Sequence, residues 1–178
     1  MTGTLPNDGL LKTARILTSI FLVLLGIAFV GLAIAIPGIL LSQKHVAAAM
    51  VAGATGSLED VLGALTLLLV LGLAIVGLAI RFLRILRRMI ASVGDGDPFI
   101  EDNADRLRKM GWIAIGIELL KIPAGAMGLF LASQLETEKF NFDVEFSLTG
   151  LLLALVLFIL SRVFRHGAAM REDLEGTV

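Results

Sequence analysis

The sequence predicts an all-α integral membrane protein with four transmembrane helices. Both termini are expected to be cytoplasmic, with a cytoplasmic helical hairpin between the second and third helices. Three observations predict this. The 178 residues are 57% hydrophobic and have a mean hydropathy of +0.91, above the roughly 45–50% apolar content of soluble domains. Four apolar runs, at residues 16–41, 61–80, 111–132 and 146–163, stand against a need of about 20 residues to cross a bilayer. Lys and Arg are unevenly spread, and that bias sets orientation. Lys12 and Arg15 precede the first run; Arg81, Arg84, Arg87, Arg88, Arg106, Arg108 and Lys109 fall between the second and third; Arg162, Arg165 and Arg171 end the chain. The two other connections carry only Lys44 and Lys139, and the second of them, residues 136–145, is acidic. One membrane domain over residues 1–178 is expected, with helices at about 14–41, 60–90, 98–134 and 146–165.

The first helix opens like a signal peptide, with Lys12 and Arg15 as a positive region and Ala33-Ile-Ala35 as a small-residue site. The apolar run continues through Pro37 to Leu41, too long for a signal core, so an uncleaved helix is expected. The following connection is rich in small residues; a short interfacial helix is expected at 46–51, and Ser57 to Asp60 reads as a cap. Beyond the second run, Arg81, Arg84, Arg87 and Arg88 recur at i, i+3, i+6 and i+7. They extend the helix past the membrane, where their stems snorkel and their heads reach anionic lipid headgroups.

"GDGDP" then breaks the helix. Asp97 and Pro98 form an N-cap and N1 pair. The third helix is expected to start there, with its acids early and its bases late, as the helix dipole favours. The acids Asp95, Asp97, Glu101, Asp102 and Asp105 read as a solvated loop tip. Further along, Gly111, Ala114, Glu118, Lys121, Gly125, Gly128 and Ala132 alternate at spacings of three and four, which places all seven on one stripe. Each is small or charged, as expected of a face packed inside a membrane bundle.

Glu118 lies about 10 Å and Lys121 about 15 Å beyond Gly111 at 1.5 Å per residue, so Lys121 falls near the midplane of a core about 30 Å thick. An unpaired charge there costs about 3 kcal/mol on insertion scales, which makes Glu118 the natural partner. Pro123 removes the amide that would bond the Leu119 carbonyl. Two readings stand for the pair: an ion pair that fixes packing, and a switch or permeation site. Before the fourth run, Phe140, Phe142, Val144 and Phe146 alternate with polar residues, as in a strand or an aromatic anchor at the membrane surface.

Several function classes are excluded at this level. Cysteine is absent, which removes disulfides and thiolate metal sites. The two histidines, His45 and His166, are far apart and do not suggest a metal pair. No nucleophile–His–Asp arrangement, HExxH or phosphate-cradling loop occurs, and "GDGDP" lacks the length of a calcium loop. The expectation is a protein without cofactor or metal and not an enzyme. A net charge of −1 suggests no direct nucleic-acid binding.

Two stretches carry a resemblance. "GDPFIEDNADRLRKMGWIAI" has a Pro-Phe pair, then Asn, then Arg-Leu-Arg, then the start of a helix. "FILSRVFRHGAAMREDLEGTV" has a last helix, then Phe, Gly, and Glu-rich residues with a hydrophobic end. Together they resemble the YoaS-like domain of unknown function, a family of small four-helix bacterial membrane proteins. The resemblance implies the bacterial inner membrane as location. It implies no reaction and no catalytic residue. Genes of that family often neighbour a small helix-turn-helix regulator, which implies a cytoplasmic protein partner. Pro98, Phe99, Asn103, Arg106, Leu107 and Arg108 match the motif; Pro98, Phe99, Asn103, Arg106 and Arg108 are the candidate contacts.

The expected function is therefore a non-enzymatic regulatory or signalling module that contacts a partner through its central hairpin. The alternatives are a small oligomeric transporter or channel with Glu118 and Lys121 in the pathway, and an accessory subunit of a larger membrane complex. Homo-oligomerisation fits the small-residue stripe.

Overall fold

The structure is a computed structural model that describes residues 9–42, 57–94, 98–134 and 147–175. Four helices occupy them: α1 Gly9–Leu41, α2 Leu58–Gly94, α3 Glu101–Gln134 and α4 Leu148–Glu175. Each is long and apolar enough to cross a membrane, which marks the chain as a multi-pass membrane protein. The 37 residues of α2 extend about 55 Å, so its basic end reaches well past a core about 30 Å thick.

Large apolar side chains cover much of the surface, and polar groups share the interior with apolar residues such as Leu107, Met110 and Leu131. Ile16, Leu24, Ile27 and Ile34 on α1 and Leu152, Leu155 and Ile159 on α4 are exposed, whereas Thr18, Asn103, Glu118 and Ser161 are buried. Lipid tails are as apolar as leucine, so burying leucine gains little; small and polar groups go inside, where packing and hydrogen bonds hold helices together.

The chain forms two compact units. The first comprises residues 1–25, 79–116 and 148–178. Its core joins Leu107, Met110 and Leu157, packed by Phe82, Ile85, Leu86, Met89 and Phe164. Gly111 makes room for an aromatic ring in this unit, since a Cβ on it would stand 2.8 Å from the Phe158 ring. The second unit comprises residues 26–78 and 117–147. Val61, Ala64 and Leu131 form its core, with Leu65, Leu68 and Met127 against them.

The cap expected at Ser57 is present. The Asp60 amide donates to Ser57 Oγ at 3.2 Å, the N-cap bond, and the Ser57 hydroxyl donates to Asp60 Oδ2 at 2.6 Å. Four boundaries differ from expectation, with α1 opening at Gly9 rather than about 14 and α2 running to Gly94 rather than about 90. The third helix begins at Glu101 rather than at Pro98, because the Pro98 carbonyl is taken by a side chain instead of a helical amide. The fourth helix continues to Glu175 rather than ending near 165, and Phe99 packs on its extension at Gly167. Asp97, the segment at 46–51, and the alternating segment at Phe140, Phe142, Val144 and Phe146 lie outside the described residues.

Candidate functional site

The most constructed part of the first unit surrounds Asn103, which has no exposed surface. Pro98, Phe99 and Ile100 form a short irregular segment, and α3 starts after it at Glu101. Asn103 Nδ2 donates to the Pro98 carbonyl at 2.9 Å and to Ser92 Oγ at 2.8 Å. Arg106 Nη1 donates to Asn103 Oδ1 at 2.7 Å, and Nη2 reaches Asp102 Oδ2 at 3.2 Å. The Ser92 hydroxyl lies 2.8 Å from the Met89 carbonyl and 3.1 Å from Asn103 Oδ1, two acceptors for its single proton. Both amide hydrogens and the oxygen of Asn103 are thus engaged. Among the described residues no buried polar side-chain atom lacks a partner. A buried network of this kind fixes one geometry only when every member is satisfied.

The end of α4 packs onto this turn. The Phe99 ring lies 5.1 Å from the Phe164 ring. It also presses on Gly167, where a Cβ would come within 2.9 Å of Phe99 Cδ1, so only glycine allows the approach. Ser161 Oγ donates to the Ala104 carbonyl at 2.8 Å, and Arg165 Nη2 to Asp105 Oδ1 at 2.7 Å. The two stretches that carry the resemblance are therefore in contact.

Among the candidate contacts, Phe99 and Arg108 are exposed, Phe99 by 44%. Pro98 is half-buried, and the Arg106 side chain keeps only 23% of its surface. Asn103 is spent inside the molecule and offers nothing to a partner. Open grooves flank Phe99. One, of about 330 Å³, is lined by Ile100, Glu101, Arg165, Ala168 and Arg171. The other, of about 910 Å³, is more apolar and runs along α4. Sequence reasoning missed Ser92 and Ser161, and it took Phe164 and Gly167 as motif positions without their contacts to Phe99; Ser161 and Ala104 are 57 positions apart, and no local pattern links them.

The headgroup candidates Arg81, Arg84, Arg87 and Arg88 are all exposed. Along the stripe of α3, Gly111, Ala114 and Gly128 are buried and Gly125 and Ala132 half-buried. In the second unit Lys121 Nζ donates to both oxygens of Glu118, at 3.2 and 3.0 Å. The Glu118 side chain is 9% exposed and that of Lys121 39%. The helix continues unbroken through Pro123. The hydroxyls of Thr18, Ser19 and Thr66 each donate to the carbonyl four residues back, at 2.7–2.8 Å. Such back-bonding satisfies a hydroxyl in lipid without a partner helix. No group of three or more His, Cys, Asp or Glu side chains gathers among the described residues.

No curated protein and no solved structure matches the chain. One family model does match, described as a protein of unknown function (DUF2975), and that description carries no YoaS name. The match spans residues 44–178, taking in α2, α3 and α4 and leaving α1 outside, and by that extent the chain belongs to this family of unknown function.

Proposed function

We propose that the chain is a non-enzymatic module of the bacterial inner membrane, with both termini and the α2–α3 connection in the cytoplasm, that contacts a cytoplasmic regulatory protein through the surface around Phe99 and Arg108. The observation that carries this reading is the placement of Phe99. A large aromatic, 44% exposed, is held against Phe164 and Gly167 on a turn locked by Asn103. Rigid exposed aromatics flanked by grooves make good anchors, because little side-chain entropy is lost on binding. The orientation rests on the twelve basic residues of the two termini and the central connection. The helix-turn-helix regulator implied by the resemblance is the candidate partner, and the exposed Arg81, Arg84, Arg87 and Arg88 face the headgroups beside it. In the proposed mechanism α3 shifts about Pro123, biased by the Glu118–Lys121 pair, and carries the Asn103 turn with it.

The test is purification from native membranes in mild detergent, with native mass measurement, of the natural chain and Arg108→Glu. A small DNA-binding protein retained at fixed stoichiometry by the natural chain and lost from R108E supports the reading. A homo-oligomer without a partner removes it. A C-terminal reporter active only in the cytoplasm checks orientation. The transporter reading is weakened by the closed Glu118–Lys121 pair and by the self-satisfied hydroxyls of α1 and α2. Proton or cation flux in liposomes, lost in E118Q/K121M, would restore it. Retention of R108E in a larger membrane complex would point to an accessory subunit.

A further inference from the structure

The larger groove beside Phe99 has a chemistry of its own. Ile159, Val163, Gly167 and Met170 line it from α4, and Arg162 and His166 border it. These residues recur at three- and four-residue steps, so they share one face of the helix. Ile159, Val163 and Met170 are exposed apolar side chains. Arg162 and His166 are exposed as well; neither forms an ion pair among the described residues, and none of the lining residues is acidic. From Ile159 to Met170 the groove extends about 16 Å along the axis. It begins inside the apolar run "LLLALVLFIL", and Arg162 is the first charge after it. Ile159 thus lies at the depth of lipid tails, Arg162 and Val163 at the headgroup boundary, and His166 and Met170 about 6 and 12 Å beyond it.

We propose that this groove binds one anionic phospholipid, its phosphate held by Arg162 and His166 and an acyl chain laid along Ile159 and Val163. Guanidinium is suited to phosphate because it presents planar, charge-assisted donors, and an imidazole ring supplies a further N–H donor. A wholly soluble phosphate ligand would leave the apolar lining unused, which is why a lipid is the occupant. Bound there, the lipid lies against Phe99, one residue after Pro98, whose carbonyl Asn103 holds. The lipid occupies one of the two grooves that flank Phe99 and leaves the other, lined by Ile100, Glu101 and Arg165, open to a protein partner.

The experiment uses the full chain in mild detergent, with phosphatidylglycerol or phosphatidylcholine of equal chain length added during native mass spectrometry. Phosphatidylglycerol should be retained preferentially, and its binding should be about tenfold weaker in R162Q/H166Q. The control K12Q/K109Q removes two exposed basic residues elsewhere in the same unit and should keep the preference. Equal retention of both lipids, or equal loss in both double variants, overturns the proposal. Should R162Q/H166Q fail to fold, the natural chain is cross-linked with phosphatidylglycerol bearing a photoreactive tail. Adducts confined to residues 159–170 and Phe99 support the site, and adducts elsewhere refute it. Cross-links from a photoreactive residue at position 163 to a second polypeptide rather than to lipid would make this groove a protein interface instead.

Discussion

The two units differ in charge and in the way they are joined. Residues 1–25, 79–116 and 148–178 hold twelve of the fifteen Lys and Arg against nine acids, a net of +3. Residues 26–78 and 117–147 hold three against seven, a net of −4. In the first unit, side-chain hydrogen bonds cross between helices, from Asn103 to Ser92, Ser161 to Ala104 and Arg165 to Asp105. In the second, the bonds of Ser57, Thr66, Lys121 and Ser133 stay within one helix or its cap, and the helices meet through Val61, Ala64 and Leu131. Long-range polar links specify a geometry, because each donor must find one acceptor in one place. Local links satisfy polar groups while leaving helix contact to shape. The first unit is therefore the better place to hold a binding surface, and the second the better place for two helices to slide.

The comparison can be broken in four ways. Asn103→Ala should have the largest effect. It leaves the Pro98 carbonyl unpaired and takes one of two partners from Ser92 and from Arg106, at about 3 kcal/mol. Hydrogen exchange should show protection lost at the start of α3 and the end of α4 and kept around Val61 and Leu131; equal loss everywhere would mean the two units unfold as one.

Glu118→Gln comes next. It strands the Lys121 charge within the membrane, for about 3 kcal/mol. The double variant Glu118→Gln/Lys121→Met should recover most of the thermal midpoint, since removing both partners of a buried pair is often nearly neutral. No recovery would mean that Glu118 serves more than Lys121.

Gly111→Ala should lose about 2 kcal/mol by overpacking against Phe158. Gly26→Ala has nothing within 4 Å and should be neutral or gain up to about 1 kcal/mol. Thermal unfolding of both variants in one detergent checks the contrast, and similar midpoints would undo it. The smallest effect belongs to Asp105→Asn. Its pair with Arg165 is half exposed on both sides, so the change should stay below about 1 kcal/mol and diminish further with added salt. A salt-independent loss of several degrees would show that the pair anchors α4 more firmly than its exposure implies.

Membrane character was legible in the sequence because it depends on composition. A run such as "LLLALVLFIL" is apolar whatever it packs against, and bilayer thickness fixes the length required. The Ser57 cap and the Glu118–Lys121 contact were legible because their partners lie three residues apart, where helix geometry alone brings side chains together. The inward face of α3 was legible at Gly111, Ala114 and Gly128 from residue size.

Partners remote in the chain had to come from the fold. Nothing near Asn103 announces Ser92 as its acceptor and donor, and nothing near Phe99 announces that Gly167 clears its ring. The same gap explains why Asn103 read as a contact for a partner: it matches the motif of the resemblance, a polar residue in an exposed-looking helical turn usually faces water, and only tertiary packing encloses it. The start of α3 moved to Glu101, and α4 ran on to Glu175. Helix ends are decided by whichever group takes the last free amides and carbonyls, and at the start of α3 that group is Asn103, itself held by Ser92 of α2. The sequence by itself determined that four helices enter a membrane and which end of each is basic, because hydropathy and charge are properties of residues. Only the tertiary structure decided which of the motif residues are buried and which remain at the surface, because burial is a property of pairs of segments.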